Sequence, residues 1–326
     1  MIDLVCKNFD KVVVVYNGAN AMELGWVKDY SQIKSVVWCA GTGQSGFNAL
    51  GSILCGDVNP SGRTIDTFVY DLTQTPTANN FGNFNYTNMD EFKASSFGAD
   101  TIPAFVNYVE GIYVGYKFYE TAAAEGLIDY DKTVVYPFGR GLSYTTFTQT
   151  LNSVTEADGT ITVDVTVTNT GSASGKEVVE VYYNPPYTNG GIEKASANLI
   201  GFAKTSELAP GASENVTVTF KAEDMASYDT YGKGCYVLEK GDYVISINAD
   251  SHTVLDSKVY NVASDIVYDA SNKRESDVEV ADNKFDFAEG NVTYLSRANG
   301  FANYAEATAA PADFELPAEA KATFYN

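Results

Sequence analysis

The sequence predicts two folds in series: a partial α/β sandwich with a mostly parallel sheet and flanking helices, then an all-β sandwich, ending in an irregular C-terminal linker. Three observations predict this. Continuous β-branched runs alternate with helix-like segments early in the chain, and from Thr160 the apolar residues fall on every second position. Between the two regimes stands Tyr136-Pro137-Phe138-Gly139-Arg140-Gly141-Leu142-Ser143-Tyr144-Thr145-Thr146-Phe147. In this stretch Gly139 and Gly141 permit backbone angles closed to other residues, and Pro137 ends whatever precedes it. Tyr136, Phe138, Leu142, Tyr144 and Phe147 give the turn apolar side chains to bury, so it reads as a rigid joint between domains. The expected division is an α/β domain over 1–145, a β-sandwich over 146–263 and a linker over 264–326.

Taken in order, Lys11-Val12-Val13-Val14-Val15-Tyr16 is a β-branched run of the kind found in a strand covered on both faces. Asn17-Gly18-Ala19-Asn20 turns the chain. Met22, Leu24, Trp26 and Val27 then begin a helix-like segment that ends before a second strand, Ile33 to Ala40. Gly41-Thr42-Gly43-Gln44-Ser45-Gly46 leads into Phe47 to Cys55, where Phe47, Leu50, Ile53 and Leu54 have helical spacing. A third strand is expected over Arg63 to Val69.

The glycine loop fits the spacing of a dinucleotide fingerprint, but it follows the second strand, and no acid ends the next strand to hold a ribose. It also lacks the Lys-Ser/Thr of a phosphate loop. A tight strand-to-helix turn is the preferred reading, with a nucleotide site as the alternative. Either way the loop lies at the C-terminal edge of a parallel strand, where α/β domains place ligands.

Residues 70–107 show little periodicity and read as a long ordered surface excursion of the kind that often carries function. The aromatic segment Tyr108 to Tyr119 follows, with Glu110 near its start. A carboxyl among aromatics can have a raised pKa and serve as a general acid. The competing reading is an exposed or hydrogen-bonded carboxylate at a turn, and it is preferred because no second acid lies close in sequence. Gly43, Gln44, Ser45 and Glu110 are therefore the candidates for a substrate-facing surface.

Beyond the joint, Ile161, Val163, Val165 and Val167 alternate with polar residues, and similar short runs follow up to Val262. Gly, Pro and Asn separate them, which points to a sandwich of immunoglobulin or fibronectin type, about 100 residues in size. His252, the single histidine, reads as a surface or hydrogen-bonding residue. Phe285, Phe287, Tyr294, Leu295, Phe301 and Tyr304 make the final stretch too apolar for a free tail.

Composition narrows the function classes. A formal net charge of -21 disfavours nucleic acid and anionic membrane surfaces as partners. The four cysteines, Cys6, Cys39, Cys55 and Cys235, have no metal-ligand spacing with His252, and Cys39 and Cys55 read as small buried hydrophobes. No metal or cofactor is expected. Free thiols, with no recognisable leader or spanning segment, give a cytoplasmic expectation.

Several of these stretches resemble glycoside hydrolase family 3, the β-glucosidase and β-xylosidase family. The resemblance runs from residue 4 to about 262. It rests on Lys11 to Asn17 with Met22-Glu23-Leu24, Trp38 to Gly46, Gly56-Asp57-Val58-Asn59-Pro60-Ser61-Gly62-Arg63, Tyr108 to Tyr119 and the joint itself. Thr168-Asn169-Thr170-Gly171, Gly175-Lys176-Glu177-Val178, Leu199-Ile200-Gly201-Phe202 and Leu208-Ala209-Pro210-Gly211 resemble the family's fibronectin III-like domain. Ser45 stands where the family loop usually carries Glu.

The resemblance implies a retaining hydrolase of β-linked oligosaccharides or glycosides, whose two carboxylates stand about 5 Å apart. It places the nucleophilic Asp on a (β/α)8 barrel and the acid/base Glu upstream of the strand matched by Val12 to Tyr16. No catalytic residue is therefore assigned within this chain. Asn283-Lys284-Phe285-Asp286 and Tyr294-Leu295-Ser296-Arg297 resemble the linker of members in which the barrel comes last. The expected partner is that barrel, in cis or in trans.

Overall fold

Ile2–Asn8 forms helix α1, and the run that follows it becomes strand β1, Val12–Tyr16. The computed structural model describes residues 1–82, 84–96, 99–277 and 292–325. Strand β1 pairs in parallel with β2, Ile33–Trp38, setting Val14 opposite Val36 and Tyr16 opposite Trp38. The expected helical link is shorter than its apolar spacing suggests, a 3-10 turn over Gly25–Asp29. Leu24 and Val27 on this link bury against Phe68 and Val135, with Trp26, Trp38 and Tyr136 packed around them.

Two expectations about this unit are corrected. Strand β1 is open on one side, with Val13 46% and Val15 39% exposed. Helix α2, Phe47–Cys55, forms where its periodicity places it, yet none of its residues is buried, and Phe47, Leu54 and Cys55 are exposed. Cys39 is only partly covered. Periodicity marks the apolar side of an element and says nothing about whether anything covers it.

The third strand is much shorter than Arg63 to Val69, being β3, Phe68–Val69. The residues before it are drawn into other bonds: the Thr64 amide donates to the Arg140 carbonyl at 2.8 Å, and the Gly139 amide to the Thr64 carbonyl at 2.8 Å. The excursion that follows carries 3-10 turns and the hairpin of β4, Ala94–Ser96, with β5, Ala99–Thr101. Helices α3, Tyr116–Ala124, and α4, Tyr130–Thr133, precede β6, Val134–Tyr136, which pairs antiparallel with β3.

The second domain is a two-layer antiparallel sandwich. Its strands are β7 (Phe147–Ala157), β8 (Thr160–Asn169), β9 (Val178–Asn184), β10 (Asn198–Lys204), β11 (Ser213–Lys221), β12 (Ser227–Tyr228), β13 (Tyr236–Leu238), β14 (Gly241–Asn248), β15 (Val254–Val262) and β16 (Ile266–Tyr268). One layer orders β10-β9-β14-β15 and the other β11-β8-β7. Alternation puts Ile161, Val163, Val165 and Val167 of β8 wholly inside, facing Val179, Val181, Ile245 and Ile247 of the other layer. Each such side chain contributes about 1.5–3 kcal/mol of burial. Strands β12, β13 and β16 form a small satellite sheet, so paired structure continues to Tyr268, past the expected boundary at 263.

The described part of the final stretch folds back onto the first domain. Leu295 and Phe301 join Val69, Tyr113, Phe118 and Val134 in one core, Tyr304 stacks on Phe118 at 5.9 Å, and Leu316 packs with Met89. Tyr294 stays exposed, and Phe285 and Phe287, with the Asn283 to Asp286 motif, lie outside the described residues.

The contrast between the filled sandwich and the open α/β face is measurable. Ile245→Ala, deleting a wholly buried side chain, is expected to cost about 2–5 kcal/mol in urea unfolding. Val13→Ala on the open face should stay within about 0.5 kcal/mol. Equal costs would mean that β1 is covered after all.

Candidate functional site

The residues singled out from sequence do not converge. Gly43, Gln44 and Ser45 are exposed on the loop between β2 and α2. Gly43 adopts φ +63, and a Cβ on Gly46 would lie 2.3 Å from the Thr42 carbonyl oxygen. The turn itself thus requires two of the three glycines, which supports the strand-to-helix reading over a nucleotide cradle. Glu110 sits at a turn closed by the Tyr113 amide donating to its carbonyl at 2.8 Å. Its side chain is half-buried, with Oε2 buried and unpaired, and burial raises its pKa. Tyr108, Ile112 and Val114 lie exposed beside it while Val109 and Tyr113 are inside. Among the described residues no hydrogen bond, ion pair or shared core links Glu110 to the glycine loop.

The densest chemistry lies at the joint, where sequence reasoning placed no candidate acid. Gly139 has φ +81, and a Cβ there would stand 2.3 Å from Glu180 Oε2, so only glycine lets the backbone pass over that carboxyl. Phe138 stacks on Tyr116 at 4.6 Å and its carbonyl accepts from the Ser251 amide at 2.8 Å. Asn59 ties three segments together. Its Oδ1 accepts from Ser143 Oγ at 2.9 Å and the Tyr144 amide at 2.8 Å, and its Nδ2 donates to the Ser174 carbonyl at 2.9 Å.

Arg63 crosses the boundary to serve two carboxylates. Its Nη2 donates to Glu177 Oε1 at 2.7 Å, while Nε stands 3.8 Å from Glu180 Oε1. Burial dominates at Glu180 and pushes its pKa up to about 7, although Tyr182 Oη donates to Oε2 at 2.9 Å. Glu120 of α3 is matched more fully. Its Oε1 accepts from Tyr130 Oη at 2.7 Å and Ser251 Oγ at 2.8 Å, and its Oε2 pairs with His252 Nδ1 at 2.8 Å. The hydrogen bond to Glu120 raises the His252 pKa, and the imidazole stacks on Tyr130 at 3.6 Å. Arg140 reaches Asp250 at 3.9 Å. His252 is thus a bonded residue of the interface, as its isolation in the sequence suggests. Its partner Glu120 lies 132 positions away, which left no local signal to find it.

These partners make a cohesive interface, not a hydrolytic centre. Glu180 has the pKa of a general acid, but at 4% exposure it is sealed beneath Gly139 and Tyr182. Among the described residues, no three His, Cys, Asp or Glu side chains are gathered to hold a metal, and no helix is long and apolar enough to cross a membrane.

Comparison with known proteins accounts for this architecture. Residues 1–116 match the glycosyl hydrolase family 3 C-terminal domain, and residues 177–251 match the fibronectin type III-like domain. The chain belongs to glycoside hydrolase family 3. It is 38% identical over 261 residues to beta-glucosidase A of Butyrivibrio fibrisolvens, covering 74% of this chain and 28% of that protein. A beta-glucosidase of Ruminococcus albus is 33% identical over 76% of this chain and 23% of its own length. Among solved structures, a beta-glucosidase from Paenibacillus barengoltzii superimposes with a TM-score of 0.66 at 34% identity, over 82% of this chain and 28% of that one. The chain therefore spans about a quarter of the length of these relatives. By family it is related to the glycoside hydrolases, and it carries the family's C-terminal domain and a fibronectin III-like domain.

The buried carboxyl at the joint sets a pH dependence. An acid whose folded-state pKa exceeds its ordinary value binds more proton when folded, so stability falls as pH rises between the two. For Glu180 that window runs from 4.5 to about 7, worth about 3 kcal/mol by the scale of 1.36 kcal/mol per unit. Glu180→Gln should remove this part of the decline in urea midpoint between about pH 5 and about pH 8. His252 contributes in the same direction only above its ordinary 6.5, and that part persists in the variant.

Gly139→Ala combines a forbidden φ with a carboxyl in the way and is expected to cost at least about 1–3 kcal/mol. Gly190→Ala, at φ +75 with open space around it, isolates the backbone strain alone. Melting temperatures lowered equally by the two would show that contact with Glu180 adds nothing.

Proposed function

We propose that this chain is the non-barrel portion of a retaining, exo-acting β-glycosidase, hydrolysing terminal β-D-glucosyl or similar residues from oligosaccharides or glycosides, and that it is inactive alone. The observation that carries this is the open α/β face. A two-stranded parallel sheet with Val13 and Val15 uncovered, beside a helix with no buried residue, is an unfinished layer that further protein must complete. Relatives about three times as long, named as beta-glucosidases, support this reading.

In this reading the nucleophilic Asp and the acid/base Glu belong to residues outside the chain, and the barrel meets it in cis or in trans. Gly43, Gln44, Ser45 and Glu110 are offered as the surfaces that face substrate in the assembled protein. With Ser45 where the family resemblance implies Glu, that loop contributes a hydroxyl in place of a charge. Catalysis then proceeds without a cofactor, and the compartment consistent with free thiols is the cytoplasm.

A second reading makes the chain a non-catalytic interaction or carbohydrate-binding module that docks a separate barrel subunit, and the same open face favours it. Activity separates the two. The purified chain is expected to show no turnover of an aryl β-glucoside above a buffer blank. Mixed with a family 3 barrel chain, it should co-elute and gain turnover. Activity of the chain alone that survives repurification would sink the claim of inactivity. Co-elution without turnover would favour the docking module, and no association would count against both.

A further inference from the structure

A groove opens between α3 and the outer face of the β9-β14-β15 layer, bordered on one side by Glu120, Ser251 and His252 of the interface described above. Cross-strand register lines its floor: Ser246 sits between Tyr182 and Ser257, and Asn248 between Glu180 and Val254. The facing wall is α3, where Ala123 and Ala124 are too short to reach the floor, and a space of about 540 Å³ remains. That lies within the range of roughly 300–1,000 Å³ of small-molecule sites.

One floor atom lacks what burial demands. Asn248 is 3% exposed, and its Oδ1 has no hydrogen-bond partner among the described residues. An acceptor shut away from water and left unpaired carries its full desolvation cost, and such atoms are seldom kept without a bound group to satisfy them. Ile245 and Ile247 on the same strand fill the core, so strand alternation commits Asn248 to the groove side.

We propose that this groove is a binding site for a neutral polyhydroxylated ligand, a mono- or disaccharide, held between the two domains. Serine hydroxyls and carboxamides both donate and accept, which matches sugar hydroxyls that do the same. Val254, Ala123 and Ala124 offer apolar surface to the C–H faces of a sugar ring. No Lys or Arg lines the groove, its His252 is already paired with the Glu120 carboxylate, and a net charge of -21 repels an anion. Because the floor belongs to the fibronectin III-like domain and the wall to the α/β domain, binding favours the docked arrangement of the two. The site is independent of the catalytic assembly proposed above, since its ligand needs neither the barrel nor turnover.

The test uses the chain by itself, so its failure is distinct from any failure to associate with a barrel. Glucose and cellobiose are titrated by calorimetry and by thermal shift, with glucose 6-phosphate as the charged comparison. The expected result is saturable binding with a Kd on the order of millimolar and a rise in melting temperature. Asn248→Leu should weaken binding at least tenfold. Ala124→Trp, at an exposed helix position, fills the groove while leaving the floor intact, and should abolish binding. The assignment is overturned if neither neutral sugar binds, if Ala124→Trp binds as the parent does, or if the sugar phosphate binds as tightly as glucose.

Discussion

The buried and half-buried carboxylates where the two domains meet take donors from across the boundary. Glu120 of the α/β domain is held by Ser251 and His252 of the sandwich. Glu177 and Glu180 of the sandwich share Arg63 of the α/β domain. Glu193, on the loop between β9 and β10, accepts from Tyr113 of the first domain and from Ser296 Oγ and the Arg297 amide of the returning tail. Separating the domains would expose these pairs to water at little cost, but bringing the domains together in any other register would leave a carboxylate buried without a donor. Buried ion pairs add little net stability, whereas an unmatched one is severely penalised. At this junction the charges therefore act chiefly on the angle at which the domains meet, and apolar contacts supply the cohesion.

That cohesion comes from one core shared by three parts of the chain. Ala195 from the sandwich loop, Phe118 and Ala122 from α3, and Leu295 and Phe301 from the tail pack together. Arg297 reinforces the same corner, with Nε on Glu125 at 2.6 Å and its guanidinium over Tyr187 at 4.1 Å. The tail is thus a clamp across the joint as well as a connection onward.

How much of this could be read from sequence follows from the range of the forces involved. Alternation identified β8, β9, β11 and β14 because each buries one face against the opposite layer, a relation written every second residue. Strand β7 escaped because a bulge between Leu151 and Ser153 shifts the side-chain phase midway, so Phe147 and Leu151 do not continue in register with Val154. Cys55 and Val13 were misplaced for a different cause, since local pattern reports apolarity and not coverage. The joint was legible because Gly139, Pro137 and the aromatic residues are local instructions. The charges packed against it were not, because Glu120 and His252, or Arg63 and Glu177, are unremarkable alone and acquire meaning only when the fold brings distant segments together. Glu110 was legible in part: burial at its turn does raise its pKa, but among the described residues no second carboxylate pairs with it, as acid catalysis of glycoside cleavage requires.

The joint and the open face of β1 and α2 make opposite demands on the same domain. At the joint most polar groups are matched and the backbone is fixed by a glycine that tolerates no Cβ; at the open face, apolar side chains wait uncovered. If the joint were loose, an exposed face of this kind would sample many orientations and meet other apolar surfaces indiscriminately. Held by Arg63, Asn59 and the Glu120 cluster, it is presented at one angle to the sandwich, so whatever covers it must also fit the sandwich flank and the tail. The stiffness of the joint thus converts a non-directional hydrophobic patch into an oriented one.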